Sequence, residues 1–247
     1  MQFKQWSIDS EKIEQIIKQS GLAMQILRTN IEDDIASLVS LEESHINQLI
    51  ETFTETNQLS EPETLKRWLE DRDWSEQDLR LHVCKPEALK RFSEQKFGPG
   101  LEEYFLSQKH KLDVVLYSLL RVRDPGLALE LWIQISEGEI RLEDAAAQHS
   151  DGPEANSRGL IGPMALGDLQ PELAERLRHL QPGDLRPPEA LGPWILLLRL
   201  EQLTPARLDD TMRQRLLREQ MDAWLETRCK AVLNGEEPDE LHYDLDP

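Results

Sequence analysis

The sequence predicts an α+β protein in which a small α/β domain is inserted into a helical unit. Apolar residues recur at helical intervals over residues 9–109. A β-rich run at 112–122 and a second apolar run at 194–200 then predict two central strands. Helical spacing returns after Thr204-Pro205, which is predicted to cap a last long helix, so the predicted strands lie between two helical regions of the chain.

Start and stop signals divide the first helical region. Ser20-Gly21 separates two predicted helices, and Gly98-Pro99-Gly100 predicts a hinge. Ser60-x-x-Glu63 and Ser75-x-x-Asp78 have the form of capping boxes, in which the serine hydroxyl accepts a hydrogen bond from an orphan backbone N–H. These signals predict a helical domain over residues 1–110.

A series of turn and cap signals lies between the two predicted strands. Asp124-Pro125 begins a predicted helix, and Leu142–His149 forms a shorter one. Gln170-Pro171 opens another helix, because proline at the first helical position loses no hydrogen bond. Pro182-Gly183 fits a type II turn, in which glycine accepts a positive φ. The two strands are therefore predicted to enclose three helices and a Gly-rich loop.

In order and spacing, this region resembles a parvulin-type, PpiC-like peptidyl-prolyl isomerase domain. The matching pieces are His149-Ser150, Arg158-Gly159-Leu160-Ile161-Gly162, Leu169-Gln170-Pro171-Glu172-Leu173, Gln181-Pro182-Gly183 and Leu191-Gly192-Pro193-Trp194-Ile195. The resemblance covers residues 112–202 and implies a parvulin-like α/β domain there. The flanking segments 53–60 and 65–79 resemble the helical domain of SurA-like foldases. That likeness implies that a last helix, within residues 203–235, packs on the N-terminal helical domain.

The resemblance also implies a peptide site without a cofactor or metal. Rotation about a prolyl bond needs no nucleophile, because a catalyst can favour the twisted amide over the planar one. Parvulins surround an apolar floor with a polar ring of two histidines and a Cys or Asp. The first-strand His falls at Ser118, the loop Cys or Asp at Asp151 or Gly152, the last-strand His at Trp194, and the floor at Met164, Leu169 and Leu173. Both histidines are absent, so the implied active site is degenerate.

Two classes of function stay open. The first is a parvulin-type isomerase or foldase with weak activity on proline-containing polypeptide segments. The second is a non-catalytic chaperone or escort that binds extended client peptides destined for maturation or export. Trp194 and Leu173 could equally be core residues.

Two further motifs do not support a hydrolytic site or a zinc site. The adjacent residues His149-Ser150-Asp151 point apart and cannot form a hydrolytic triad. His82-x-Cys84 lacks the further ligands of a zinc site.

Charge and composition exclude other partners and predict a location. A formal charge of −19 argues against binding nucleic acid or an anionic membrane surface. No apolar run approaches the ~18 residues of a membrane span, and residues 1–9 lack the apolar core of a signal peptide. We therefore expect a cytoplasmic protein without membrane insertion. Cys84 and Cys229 are expected to be buried thiols, residues 236–247 to be a mostly disordered acidic tail, and the oligomeric state stays open.

Overall fold

The structure, a computed structural model, describes residues 10–243. The described residues divide into two compact units, residues 10–101 with 210–243 and residues 102–209. The second unit therefore begins earlier and ends later than the predicted boundaries at 112 and 202. One reason is that the Asp113 carboxylate accepts a hydrogen bond from the Ala206 N–H at 2.8 Å, which ties the two ends of this unit together.

The described part of the first unit is helical. Its helices are α1 (Ser10–Ser20), α2 (Ala23–Leu38), α3 (Glu43–Thr56), α4 (Pro62–Glu70), α5 (Glu76–Phe97) and α10 (Asp210–Leu233). α2, α5 and α10 share one core, in which Ile35, Phe92 and Leu225 are buried. The Ser93 hydroxyl donates a hydrogen bond to the Leu217 carbonyl at 3.1 Å, so α10 is held to α5 by a polar contact as well as by packing.

Of three predicted helix starts, the structure confirms the one at Ser75 and corrects the ones at Ser60 and Thr204. The Ser75 box is confirmed, since Ser75 and Asp78 cap each other at the beginning of α5. The Ser60 box is wrong, because α4 begins at Pro62, whose missing N–H suits the first turn, and Glu61 is the N-cap. Thr204 ends a strand rather than capping the last helix, which begins at Asp210.

The second unit contains a four-stranded antiparallel sheet with the strand order β2-β1-β4-β3. Its elements are α6 (Leu101–Leu112), β1 (Val114–Val122), α7 (Pro125–Ser136), α8 (Leu142–His149), β2 (Leu160–Ala165), α9 (Pro171–Arg178), β3 (Glu189–Leu191) and β4 (Trp194–Thr204). The register pairs Val122 with Ile195 and Val114 with Thr204, with an irregularity between Leu116 and Tyr117. β1 and β4 are thus the two central strands that the apolar runs predicted.

The two faces of the sheet are covered by different helices. On the α9 face, Tyr117 and Leu119 of β1 share a core with Leu196 and Leu198 of β4 and with Leu177 of α9. On the α7–α8 face, the buried residues of the core are Leu120, Val122, Ala128, Leu131, Leu142, Ala145, Ala146 and Leu197. Both central strands are therefore buried on both sides, as near-continuous apolar strands are expected to be.

The acidic segment differs from the predicted disordered tail. Residues 236–243 form no helix or strand, yet Leu241 and Tyr243 are half-buried against the helical core. The predictions for residues 1–9 and 244–247 lie outside the described residues. Cys84 and Cys229 are buried and free, as expected. Within residues 10–243, no helix combines the length and apolar character needed to cross a bilayer.

Candidate functional site

The predicted floor residues lie at the edge of the core on the α9 face. Met164, Leu169 and Trp194 are half-buried and pack against that core, and we call these three residues the apolar rim. Leu173 is only 8% exposed and belongs to the core itself. Three of the four positions therefore keep apolar surface that a peptide could cover, whereas Leu173 mainly stabilises the domain.

Ser118 lies on the other side of the sheet. Its side chain follows the alternation of Leu120 and Val122, which belong to the core under α7 and α8. The Ser118 hydroxyl donates a 2.5 Å hydrogen bond to the Glu201 carboxylate. The predicted placement of a catalytic polar group at Ser118 is therefore corrected, because the sheet separates this residue from the apolar rim.

Tyr117 occupies the position on β1 that faces α9. Its ring is buried in the same core as Met164 and Trp194, and its hydroxyl makes no hydrogen bond to any of the described residues. Burial raises the pKa of this phenol, an effect that nearby Arg121 opposes and Glu154 supports. Tyr117 is therefore a protonated hydrogen-bond donor at neutral pH, and the described chain supplies no acceptor for it.

Arg121 and Glu154 form an ion pair beside this end of β1. The two guanidinium nitrogens Nε and Nη2 each donate to one carboxylate oxygen of Glu154, both at 2.7 Å. Ser150 donates to the same carboxylate at 2.6 Å. The Glu154 side chain is 1% exposed and that of Arg121 27%. We call Arg121, Glu154 and Ser150 the ion-pair cluster, and its bidentate geometry is the strong form of this interaction.

The hydrogen bonds to Glu154 keep it ionised in spite of its burial. Burial alone would raise the pKa of this carboxyl, but hydrogen bonds from Arg121 and then Ser150 outweigh it, and the pKa is lowered overall. Glu154 therefore carries its charge at neutral pH, and the cluster has no net charge. Its role at the site is to hold the loop against β1 rather than to exchange a proton.

The predicted loop residues adjoin this cluster. The Asp151 N–H donates to the Arg121 carbonyl at 2.9 Å, while the Asp151 side chain is exposed. At Gly152, a Cβ atom would lie 2.2 Å from a Glu154 carboxylate oxygen and 2.4 Å from the Arg121 Nε. Gly152 adopts an extended backbone that other residues share, so the requirement for glycine here is steric. The side chain that parvulins place at this position would displace the ion pair.

Trp194 and Arg123 extend the site toward solvent. The Arg123 guanidinium lies 4.8 Å from the Trp194 ring centroid, within the range of a cation–π contact. Trp194 shares the α9 face with the other apolar rim residues. The structure thus brings together Met164, Leu169 and Trp194, with Gly152 beside the ion-pair cluster, and it leaves Ser118 out.

The arrangement supports binding and orientation rather than bond cleavage. The Ser150 hydroxyl donates to Glu154, so it is not paired with His149 as a nucleophile would be with its base. Among residues 10–243, no cluster of three or more His, Cys, Asp or Glu side chains could hold a metal ion. The strands β1 and β4 contain no histidine.

Sequence reasoning missed Tyr117, Arg121, Glu154 and Ser150. The available signal was Arg121, a cation within the otherwise apolar run of β1, because a charge in a buried strand requires a partner. The partner could not be read from the sequence, since Glu154 lies 33 positions away in a polar loop.

Comparison with known proteins agrees with the parvulin resemblance. The family model for a rotamase domain, the PPIC-type PPIASE domain, matches residues 126–201. This range contains the Gly-rich loop, α9 and most of β4. No curated protein matches the chain in sequence.

Solved structures of similar fold are foldases and chaperones. The peptidylprolyl isomerase PrsA from Bacillus cereus is 13% identical with a TM-score of 0.50, and the match covers 99% of this chain and 94% of PrsA. PrsA from Bacillus anthracis is 13% identical with a TM-score of 0.43, over 87% of this chain and 100% of its own. A structure described under the SurA-like chaperones PEB4 and Cj1289 of Campylobacter jejuni is 10% identical with a TM-score of 0.39, over 95% and 96%. The likeness to the B. cereus protein shows a shared fold, and the predicted α+β class is confirmed.

Proposed function

Residues 126–201 belong to the PPIC-type peptidyl-prolyl isomerase family, and from this premise we propose that the α9 face binds proline-containing segments of polypeptide clients. The prolyl ring would rest on the apolar rim formed by Met164, Leu169 and Trp194. The Tyr117 hydroxyl would donate a hydrogen bond to a backbone carbonyl oxygen of the bound segment. The protein acts as a foldase whose polar site differs from that of other parvulins.

The single observation that carries this proposal is the unpartnered hydroxyl of Tyr117. The Tyr117 ring is buried, but its hydroxyl is not among the enclosed polar atoms that lack a partner, so the hydroxyl reaches solvent and is open to a ligand. Here it shares a core with half-exposed apolar side chains. A ligand with one acceptor and an apolar ring satisfies both, and a prolyl peptide has both.

Turnover is expected to be slow relative to a parvulin with both histidines. Interactions that act only on the twisted amide raise the rate, whereas a uniform apolar contact only tightens binding. This chain offers one neutral donor and no histidine on either central strand. A protein that binds prolyl peptides but turns them over slowly lies between the two functions that the sequence left open, a weak isomerase and a non-catalytic chaperone.

The test compares two adjacent residues on opposite faces of β1. Tyr117→Phe removes the proposed donor, and Ser118→Ala removes a hydroxyl whose partner, Glu201, lies on the far face. We expect Tyr117→Phe to lower kcat/KM on an X-Pro peptide about fivefold, which corresponds to roughly 1 kcal/mol for one neutral hydrogen bond. NMR exchange spectroscopy measures this rate, with thermal unfolding of each variant as the control for folding. Equal effects of the two changes would refute the role of Tyr117.

A chaperone activity without turnover is the second candidate function. A cavity of about 510 Å³ in the helical unit has a floor that includes Leu89, Leu217 and Met221, with charged side chains of α2, α5 and α10 around it. A concave apolar floor with a charged border suits an extended peptide. If the Tyr117→Phe variant suppresses client aggregation as well as the unaltered chain does, the chaperone activity does not depend on the Tyr117 hydroxyl.

The cytoplasmic location stays a proposal. Fractionation of the native source, followed by detection of the chain with an antibody, tests it directly.

A further inference from the structure

The acidic segment 236–243 covers an aromatic surface of the helical unit. The Tyr243 ring is stacked on Phe92 with centroids 6.5 Å apart, and Phe92 in turn contacts Trp224 at 5.6 Å. Leu241, two positions before Tyr243, is also half-buried against the same core. In an extended chain, residues two positions apart point to the same side, so both side chains can enter one surface.

Cationic side chains border this surface. The Lys96 ammonium lies 5.1 Å and the Arg228 guanidinium 5.3 Å from the Trp224 ring centroid. Arg228 also donates a hydrogen bond to the backbone carbonyl of Asp239. The covering segment carries Glu236, Glu237, Asp239 and Glu240. The two cations of the surface and the four carboxylates of the segment have opposite charges, so the surface and the segment are electrostatically complementary.

The segment is attached by side chains rather than by a backbone ladder. The Glu236 N–H donates to the Ala231 carbonyl at 3.0 Å. Beyond it, no backbone N–H of residues 237–243 donates a hydrogen bond to the described part of the chain. A peptide from another chain with the same side chains could therefore make the same contacts without breaking regular secondary structure.

We propose that Phe92, Lys96, Trp224 and Arg228 form a second client-binding site, which residues 236–243 occupy as an internal ligand. The site takes an extended segment with an aliphatic and an aromatic side chain two positions apart and with carboxylates nearby. It depends on the proposed function only for the idea that polypeptides are the clients, because it lies in the helical unit and uses none of the residues of the α9 face.

The test is competition between the internal segment and a peptide of its own sequence. The probe is a fluorescent peptide, Glu-Glu-Pro-Asp-Glu-Leu-His-Tyr, which copies residues 236–243. A tethered segment competes at an effective concentration on the millimolar scale. The full chain carrying Leu241→Ala with Tyr243→Ala is therefore expected to bind the probe at least tenfold more tightly than the unaltered chain, by fluorescence anisotropy.

Matched controls make the outcome decisive. A probe with the leucine and tyrosine made adjacent is expected to bind at least tenfold more weakly, and Lys96→Glu with Arg228→Glu is expected to abolish binding. Equal binding of both probes, or no binding to a variant that circular dichroism shows to be folded, would overturn the proposal.

Two further readouts cover the remaining cases. If the Leu241 and Tyr243 variant does not fold, the unaltered chain is titrated with the probe, and the Trp224 indole N–H signal is expected to shift saturably. An unshifted signal at millimolar probe would overturn the proposal. Isomerase rates are measured on the same samples and are expected to be unchanged, so a failure on the α9 face is recognised separately.

Discussion

Both faces of β1 carry a serine, an arginine and a glutamate that form a network, but the two faces differ in whether every polar group has a hydrogen-bond partner. On the α7–α8 face, Ser118 donates to Glu201, and Arg199 bridges Glu201 and Glu143 at 2.7 and 2.8 Å. On the α9 face, the ion-pair cluster is equally closed, but the Tyr117 hydroxyl beside it has no partner. Adjacent residues of one strand thus differ in role, since a closed network stabilises the domain and an open donor is available to a ligand.

The two networks also differ in burial. The Glu154 side chain is 1% exposed, whereas those of Arg199 and Glu201 are each 23% exposed. Water screens the more exposed network and can replace part of a lost interaction, but it cannot reach a carboxylate enclosed by protein. Equivalent substitutions on the two faces should therefore have unequal costs.

Glu154→Ala is expected to have the largest effect. It leaves the Arg121 guanidinium without its carboxylate, and we expect a loss of about 2–4 kcal/mol in the free energy of unfolding, at the lower end for buried pairs because Arg121 is partly exposed. Glu201→Ala is the matched change on the other face, with an expected loss of about 1 kcal/mol. Urea unfolding measures both, and similar losses would contradict the difference in burial.

Gly152→Ala tests how tightly the loop closes over the ion pair. The new methyl would overlap Glu154 and Arg121, so we expect a loss of about 1–3 kcal/mol in the free energy of unfolding. Gly100→Ala is the control, because no atom lies within 4 Å of the position of its Cβ and its φ is not positive. Thermal unfolding of both variants shows the difference, and an unaffected Gly152→Ala variant would mean that the cluster gives way at little cost.

Acid should cost the α9 face more stability than it costs the other face. The pKa of Glu154 is lowered in the folded chain from its ordinary 4.5, so the stabilisation it provides is present above that value and is lost as the pH falls through the lowered pKa. Glu154→Gln is expected to flatten the loss of stability below pH 4.5. Glu143→Gln should flatten it less, because that carboxylate, whose pKa is also lowered, is 38% exposed. Denaturant unfolding at several pH values measures the two losses and tests the expected difference in their size.

The smallest effects on stability should come from the two hydroxyls. Ser118→Ala removes a hydrogen bond to a carboxylate and is expected to cost about 1 kcal/mol of unfolding free energy. Tyr117→Phe removes a hydroxyl without a partner and is expected to change it by less than about 0.5 kcal/mol. A larger loss of unfolding free energy for Tyr117→Phe in calorimetry would mean that the Tyr117 hydroxyl makes a hydrogen bond within the folded chain, which would contradict the proposed open donor.

The sequence by itself determined the order of elements and the fold class. The apolar runs that became β1 and β4, the helix starts at Pro125 and Pro171, and the turn at Gly183 all depend on local periodicity or on the backbone preferences of proline and glycine. Local rules also explain the Ser60 error, since a nearby proline competed with the serine for the same helix start.

Only the tertiary structure decided which residues of β1 face the site. A strand buried on both faces shows no polar alternation that would reveal its orientation, so the sequence did not reveal that Tyr117 faces α9 and that Ser118 faces α7 and α8. The position expected at Ser118 therefore fell to Tyr117. The enclosure of Glu154 likewise needs the fold, because its charge is tolerable there only where Arg121 and Ser150 come together around it.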